Sequence, residues 1–249
     1  MIIFGVIVGA IYFQIKKDKH GIQNRVGVFF FLVMNMIFGN LSAVELFIKE
    51  RPIFIHESAS GYYRISVYFL AKVVCDLIPM RLVPITAFSA IVYFMTGLDP
   101  HVIKFLIFAL TLLLTSLCAC SVAFFVSACV RTFAIANLLI ALPYVFMMVF
   151  GGVLVNLNSV LAWLSWIKYI SIFRYAIEAL EINELHGMKF DCSMNATITG
   201  QCVSLGDEYL ALQGISVDDL WYNEIALASI TVILMTFAYI ALRLIKKEK

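Results

Sequence analysis

The chain has 249 residues, of which 63% are hydrophobic and only 14% are charged, and its formal net charge is +2. A soluble domain is about half apolar and about a quarter charged, so this composition excludes one. No cluster of Lys and Arg suits a phosphate backbone, and we expect no nucleic-acid partner. Long apolar runs predict an all-α membrane protein instead.

Apolar runs separated by polar segments predict six spans. Residues 1–13 are apolar but too few for a hydrocarbon layer of ~30 Å at a rise of ~1.5 Å per residue, which predicts a truncated first span. A signal-type segment is the alternative, but no basic residue precedes the run. The other predicted spans are residues 26–44, 77–96, 102–128, 134–155 and 225–244.

Three polar segments lie between these spans. Residues 45–64 mix charged and apolar side chains around Pro52, which predicts an amphipathic connector that docks on something outside the bilayer. A solvated loop is an equally good interpretation of that segment. Residues 158–180 contain tryptophans and tyrosines typical of a membrane interface, which predicts interfacial or re-entrant helices. Residues 181–222 are the longest polar segment.

The segment 181–222 orients the chain, because Lys and Arg are balanced between the two sides. It contains the glycosylation sequon Asn195-Ala196-Thr197, flanked by Cys192 and Cys202. A sequon between two cysteines is typical of an oxidising, extracytoplasmic face. We therefore expect an extracellular loop glycosylated at Asn195, with the connector 45–64 in the cytoplasm.

Motifs for catalysis are absent from the sequence. No G-x-x-x-x-G-K-[ST] loop is present to hold ATP phosphates, and the four histidines are far apart. The pair Cys118 and Cys120 lies in a predicted span, where packing of small residues is a better interpretation than metal binding. We expect no catalytic residue and no metal site in this chain.

Several segments carry distinctive motifs, and they include Phe54–Arg64 (FIHESASGYYR), Asp76–Arg81 (DLIPMR), Val145–Leu157 (VFMMVFGGVLVNL) and Trp163–Tyr175 (WLSWIKYISIFRY). These segments resemble the membrane domain of G-subfamily (white-type) ABC half-transporters. The resemblance covers essentially the whole chain and is strongest to the branch of breast-cancer-resistance multidrug exporters and their rodent relatives. It implies a six-span ABC type-2 (G-type) transmembrane domain that forms a homodimer, or a heterodimer with another half-transporter.

The resemblance implies an ATP-driven exporter of amphipathic, xenobiotic or lipid-like small molecules, working by alternating access in the plasma membrane. ATP and Mg would bind to a nucleotide-binding domain that is absent from this chain and is supplied in cis or in trans. Glu45 and Arg64 in the connector would be coupling residues. The alternative is a non-transporting or regulatory membrane protein, degenerate or truncated, that acts through dimerisation. A channel would need a polar stripe along one span, and we expect none.

The resemblance also implies a substrate site on the dimer axis. Its residues would be Phe31, Asn35 and Phe38 on the second span, and Val145 and Met148 on the fifth. Aromatic faces offer apolar contact, one amide offers a hydrogen bond, and methionine adapts to varied ligands. Ordinary helix packing is the alternative for the two phenylalanines, which share one helical face.

Further roles follow from the same resemblance. Val153 and Leu154 correspond to a gate above the substrate site. Arg81 corresponds to a position that modulates specificity, although snorkelling to the interface would explain it equally well. Cys192 and Cys202 would form a disulfide within the chain.

Overall fold

The computed structural model describes most of the chain. The described residues are 2–16, 19–44, 48–50, 53–54, 56–57, 60–130, 132–153, 166, 169–189 and 206–244, with side chains at all of these except 19, 20, 76–78 and 80. The predicted residues Glu45, Leu154, Asn195, Cys192 and Cys202 lie outside them.

Nine α-helices form the described part of the molecule. They are α1 (Ile2–Ile11), α2 (Lys19–Phe38), α3 (Ile65–Asp76), α4 (Val83–Thr96), α5 (Val102–Cys129), α6 (Phe133–Val149), α7 (Ile172–Leu185), α8 (Gly206–Gln213) and α9 (Leu220–Leu244). A 3₁₀ segment, Gly39–Val44, extends α2, and a π-helical turn, Leu77–Leu82, joins α3 to α4. The predicted all-α fold class is confirmed.

Three helical stretches are long and apolar enough to cross a membrane: Gly21–Glu50, Val102–Cys129 and Val217–Leu244. Four shorter helices are also apolar, and they are Ile2–Ile11, Ile65–Cys75, Val83–Thr96 and Phe133–Val149. The helix α7 belongs to neither group. We therefore treat its side chains as lying outside the membrane-spanning segments.

The helix bounds differ from the predicted spans at several ends. The helix α2 begins at Lys19, ahead of predicted residue 26, because Ile22 and Arg25 are buried rather than solvated. The helix α3 begins at Ile65 and precedes the predicted third span 77–96. The helix α6 ends at Val149, short of predicted residue 155.

The segment predicted as loop 181–222 also contains regular structure. The helix α7 runs through the predicted boundary at residue 181 and ends at Leu185. The helix α8 lies inside the predicted loop, and Leu210 on it is completely buried. The side chains of Ile182 and Leu185 pack with Leu210 in a small apolar cluster, which holds α8 against α7.

The helix α5 is the centre of the structure, since it contacts α2, α4, α6, α7 and α9. Its buried face consists largely of small residues, which let helix backbones approach closely. The polar ones among them form hydrogen bonds: Ser116 accepts one from Asn40 Nδ2 at 3.0 Å, and Thr111 donates one to Glu224. The expectation that no span carries a polar stripe was therefore wrong for α5, whose stripe faces neighbouring helices.

Two glycines bring α1 against α4. A Cβ atom at Gly5 would lie 3.0 Å from the Phe88 ring, and one at Gly9 would lie 2.7 Å from Met95 Cβ. The spacing Gly-x-x-x-Gly puts both on one face of the helix, as in many membrane helix pairs.

Candidate functional site

The predicted substrate residues lie on two neighbouring helices. Asn35 and Phe38 are half-buried on α2, and Met148 is half-buried on α6. The Phe38 ring meets the Tyr144 ring of α6 edge-on, with centroids 6.0 Å apart. It also lies 6.3 Å from the ring of Phe173 on α7. The structure thus brings α2 and α6 together at Phe38.

Phe31 and Val145 are the exposed members of the predicted set. Phe31 is 44% exposed and Val145 is 45% exposed. Tyr144, one residue away from Val145, is buried, and its hydroxyl donates to the Ala119 carbonyl oxygen at 3.0 Å. Side chains of α2 and α6 therefore form an accessible apolar face backed by a fixed aromatic layer. Such a face can bind a flat apolar molecule or another helix.

The structure places Val153 and Arg81 in different parts of the molecule. Val153 follows the end of α6 and is half-buried beside a cavity described below. Arg81 lies in the π-helical turn and is only 6% exposed. This burial does not favour the snorkelling interpretation. The structure does not bring Arg81 into the substrate set.

The described part of the connector forms an aromatic cluster at the start of α3. The Tyr68 ring lies 4.5 Å from the Phe54 ring and 5.5 Å from the Tyr63 ring. The Tyr63 hydroxyl donates to Glu57 at 2.9 Å, and burial together with that carboxylate raises the pKa of Tyr63 to about 12. Arg64 is exposed at the first turn of α3. An exposed arginine on an anchored segment is available to a partner domain.

A buried ion pair between Arg25 and Glu184 joins α2 to α7. We call this pair, together with its neighbours Asp99 and Lys104, the charged cluster. Arg25 Nε lies 3.2 Å from Glu184 Oε1, with both side chains almost completely buried. The Asp99 N–H donates to Glu184, and Lys104 Nζ lies 2.9 Å from Asp99 Oδ2. Burial raises the pKa of Glu184, while Arg25 opposes that increase. The cluster fixes three distant parts of the chain.

A cavity of about 230 Å³ lies next to this cluster, and we call it the acidic cavity. Its lining includes Val26, Val153, Glu178, Glu181 and Tyr209. Our sequence analysis did not select either glutamate or the charged cluster. One signal was available, because Glu178, Glu181 and Glu184 recur every third residue in the segment 178–185. That spacing places all three near one face of a helix.

Within the described residues, no group of three or more His, Cys, Asp or Glu side chains could hold a metal ion. Cys118 and Cys120 are buried thiols on α5. Their small side chains belong to the packed face of that helix.

The long apolar helices packed around α5 define a helical membrane domain. The family described as ABC-2 type transporter matches residues 1–185, and the chain belongs to this family.

The chain is also similar to curated G-subfamily transporters, which confirms the resemblance predicted from the sequence. It is 46% identical to the pig (Sus scrofa) "Broad substrate specificity ATP-binding cassette transporter ABCG2" over 99% of the chain and 38% of the relative. The rat (Rattus norvegicus) protein of that name is 45% identical, with the same coverage. The mouse (Mus musculus) "ATP-binding cassette sub-family G member 3" is 34% identical over 98% of the chain and 39% of the relative. The chain thus spans well under half the length of these relatives.

Proposed function

We propose that this chain is the membrane half of an ATP-driven exporter that moves amphipathic, xenobiotic or lipid-like small molecules out of the cell. It works by alternating access as a homodimer or heterodimer. The pig relative is named for broad substrate specificity, which supports transport of varied molecules. ATP and Mg are bound by a nucleotide-binding domain supplied in cis or in trans.

One structural observation supports this proposal: α2 contacts α6 through the Phe38 and Tyr144 rings, with Phe31 exposed on α2 and Val145 exposed on α6. Phe31, Asn35 and Phe38 are spaced so that they share one side of α2. Val145 and Met148 occupy the adjoining part of α6. A second half-transporter facing this surface would enclose a site with aromatic, amide and thioether groups. Those groups suit flat apolar ligands of varied shape.

The connector supplies the coupling in this proposal. Phe54 is buried against Tyr68, and Tyr68 lies in the first turns of α3. A force on the exposed Arg64 would be passed to α3, because the Arg64 carbonyl oxygen accepts from the Val67 and Tyr68 N–H groups. Glu45 is assigned the same role from the resemblance alone.

The remaining assignments concern the cell-surface features. We place the protein in the plasma membrane, with Asn195 glycosylated and Cys192 joined to Cys202 within the chain. A non-reducing gel tests the bridge: a covalent dimer that is lost on Cys202→Ser would contradict it.

The substrate site is tested by ATP hydrolysis of the complete transporter that contains this chain. Asn35→Ala and Phe38→Ala should abolish stimulation by transported drugs, because they remove the amide and the aromatic contact. Asn24→Ala, at an exposed position of α2, and Phe237→Ala, half-exposed on α9, are the matched controls. Unchanged stimulation in both site variants would remove the assignment. Absence of any ATP-dependent transport by the unmodified protein would favour the regulatory alternative.

A further inference from the structure

The acidic cavity lies between α7 and α8, close to the end of α6 and the start of α2. Its volume is about 230 Å³. Val26 and Ile215 contribute apolar walls, while Tyr209 and Gln213 contribute polar groups. Val153, the described member of the predicted gate, also lines it. The space suits a small molecule, not a full-sized drug.

The two carboxyl groups of the cavity differ in their partners. Glu178 Oε1 lies 2.6 Å from Arg174 Nε, so its charge is already compensated. Glu181 is only 5% exposed. No hydrogen bond or ion pair reaches its carboxyl group from any described residue. A buried carboxylate without a partner is costly, so the group either holds a proton or attracts a positive charge.

Charged groups on the elements packed around α7 are engaged elsewhere. Arg25 of α2 pairs with Glu184, Lys104 of α5 pairs with Asp99, and Asp207 of α8 pairs with His186. The titratable groups facing α7 from α9 and α6 are also accounted for: Glu224 accepts from Thr111, Tyr222 packs on Tyr175, and Tyr144 donates to Ala119. No described cation therefore neutralises Glu181. Burial and the neighbouring Glu178 raise the pKa of Glu181 to about 8, and burial also raises the pKa of Tyr209.

We propose that the acidic cavity is a binding site for a small organic cation, and that Glu181 exchanges its proton for the positive charge of that ligand. The neutral carboxyl group loses its proton to solvent as the cation enters, so one positive charge replaces another. The cation is held by the Glu181 carboxylate and by the aromatic ring of Tyr209, which attracts alkylammonium groups. This deepens the proposed function and rests on it, because it assigns a substrate class to a cavity that adjoins the gate.

The chemistry of the cavity favours an organic ammonium over a divalent metal ion. Hard divalent cations take six or more oxygen ligands. The described lining offers two carboxyl groups, and Arg174 already holds one of them. A single charge with apolar substituents matches one free carboxyl group between the Val26 and Ile215 side chains.

Equilibrium binding of radiolabelled tetraethylammonium to the complete protein in lipid nanodiscs, without nucleotide, tests the proposal. The charge of this probe does not change with pH, so any pH dependence comes from the protein. The protein binds the probe only when Glu181 is deprotonated. With a pKa near 8 for Glu181, the deprotonated fraction rises between about pH 6.5 and about pH 9 by enough to tighten binding about 30-fold. A pH-indicator dye in weak buffer should show one proton released per bound cation near neutral pH.

Glu181→Gln keeps the shape of the protonated group but cannot become an anion. We expect it to abolish both the pH dependence and the proton release, and to bind at alkaline pH at least about tenfold more weakly, as for loss of one charge-assisted contact. Glu208→Gln is the matched control, because it removes one acidic charge at an exposed position of α8, and it should bind like the unmodified protein. Equal binding at both pH values, or unchanged binding by Glu181→Gln, would overturn the proposal.

The binding result separates this inference from the proposed function. Binding of tetraethylammonium that depends on pH, in a protein that shows neither drug-stimulated ATP hydrolysis nor ATP-dependent transport, would support the cation site while contradicting the exporter assignment. Drug-stimulated hydrolysis without any binding of tetraethylammonium would do the reverse. A thermal unfolding midpoint of Glu181→Gln no lower than that of Glu208→Gln would confirm that lost binding does not reflect lost folding.

Discussion

Glu181 and Glu184 lie one turn apart on α7, and both are buried, yet their surroundings differ completely. Glu184 pairs with Arg25 and accepts a hydrogen bond from the Asp99 N–H. It is part of a network that fixes α2, the turn before α5 and the end of α7. No described residue donates a hydrogen bond to Glu181 or forms an ion pair with it, and its side chain lines the acidic cavity. The same side chain therefore serves the fold at one position, while at the other it remains available to a ligand.

The largest effect is expected from breaking the ion pair. Arg25→Met should leave Glu184 buried and unpaired, which costs about 3–5 kcal/mol of stability. A lower thermal unfolding midpoint in nanodiscs would show it, with the exposed Arg243→Met as the control. The double change Arg25→Met with Glu184→Met should recover much of the loss, because no charge is then left unpaired. A single variant as stable as Arg243→Met would remove the contrast between the two glutamates.

A smaller effect per pH unit is expected from the protonation of Glu181. Its pKa is raised from 4.5 to about 8, so the folded state binds the proton more tightly than the unfolded state. Stability should therefore fall as pH rises between these values, by at most about 1.4 kcal/mol per pH unit from this group. Glu181→Gln should remove that part of the slope, as measured by unfolding midpoints across this pH range. An identical slope in Glu181→Gln and in the unmodified protein would contradict the unpaired state of Glu181.

The smallest effect is expected from the exposed pair His186 and Asp207. His186 Nδ1 lies 2.9 Å from Asp207 Oδ1, but both side chains are about half exposed. Asp207→Asn should cost less than about 1 kcal/mol, as for other surface pairs. The hydrogen bond to His186 lowers the pKa of Asp207 from 3.8, so the contribution is present above that value and is lost as pH falls through the lowered pKa. A loss as large as that of Arg25→Met would show that burial does not decide the strength of these pairs.

The long apolar helices could be predicted from the sequence, because an apolar run has few other structures available in a membrane. The run 102–128 predicted α5 within one residue of its observed end at Cys129. Its ends are the positions 101 and 130, where the backbone is extended, and α5 has no charged residue except Lys104. Composition alone was sufficient to predict the bounds of α5.

The charged cluster and the acidic cavity could not be predicted in the same way. Arg25 lies just ahead of the predicted span 26–44, and a charge beside a span usually lies in solvent. Its partner Glu184 is 159 residues away in the chain, and no local pattern connects the two. Likewise, Glu181 was placed in a loop, because no local pattern shows that α7 continues through it to Leu185. The substrate residues followed from the resemblance, and their roles stay predictions.

Ser171 links the last turn of α6 to the first turn of α7. Its hydroxyl donates to the Met147 carbonyl oxygen in the last turn of α6 at 2.9 Å and accepts from the Arg174 N–H in the first turn of α7 at 3.3 Å. A displacement of α6 that moves Val153 is therefore passed to the helix that carries Glu181. By thermodynamic reciprocity, if opening weakens cation binding by some factor, a bound cation disfavours opening by the same factor. A cation in the acidic cavity would then oppose that opening in proportion to its occupancy of the cavity.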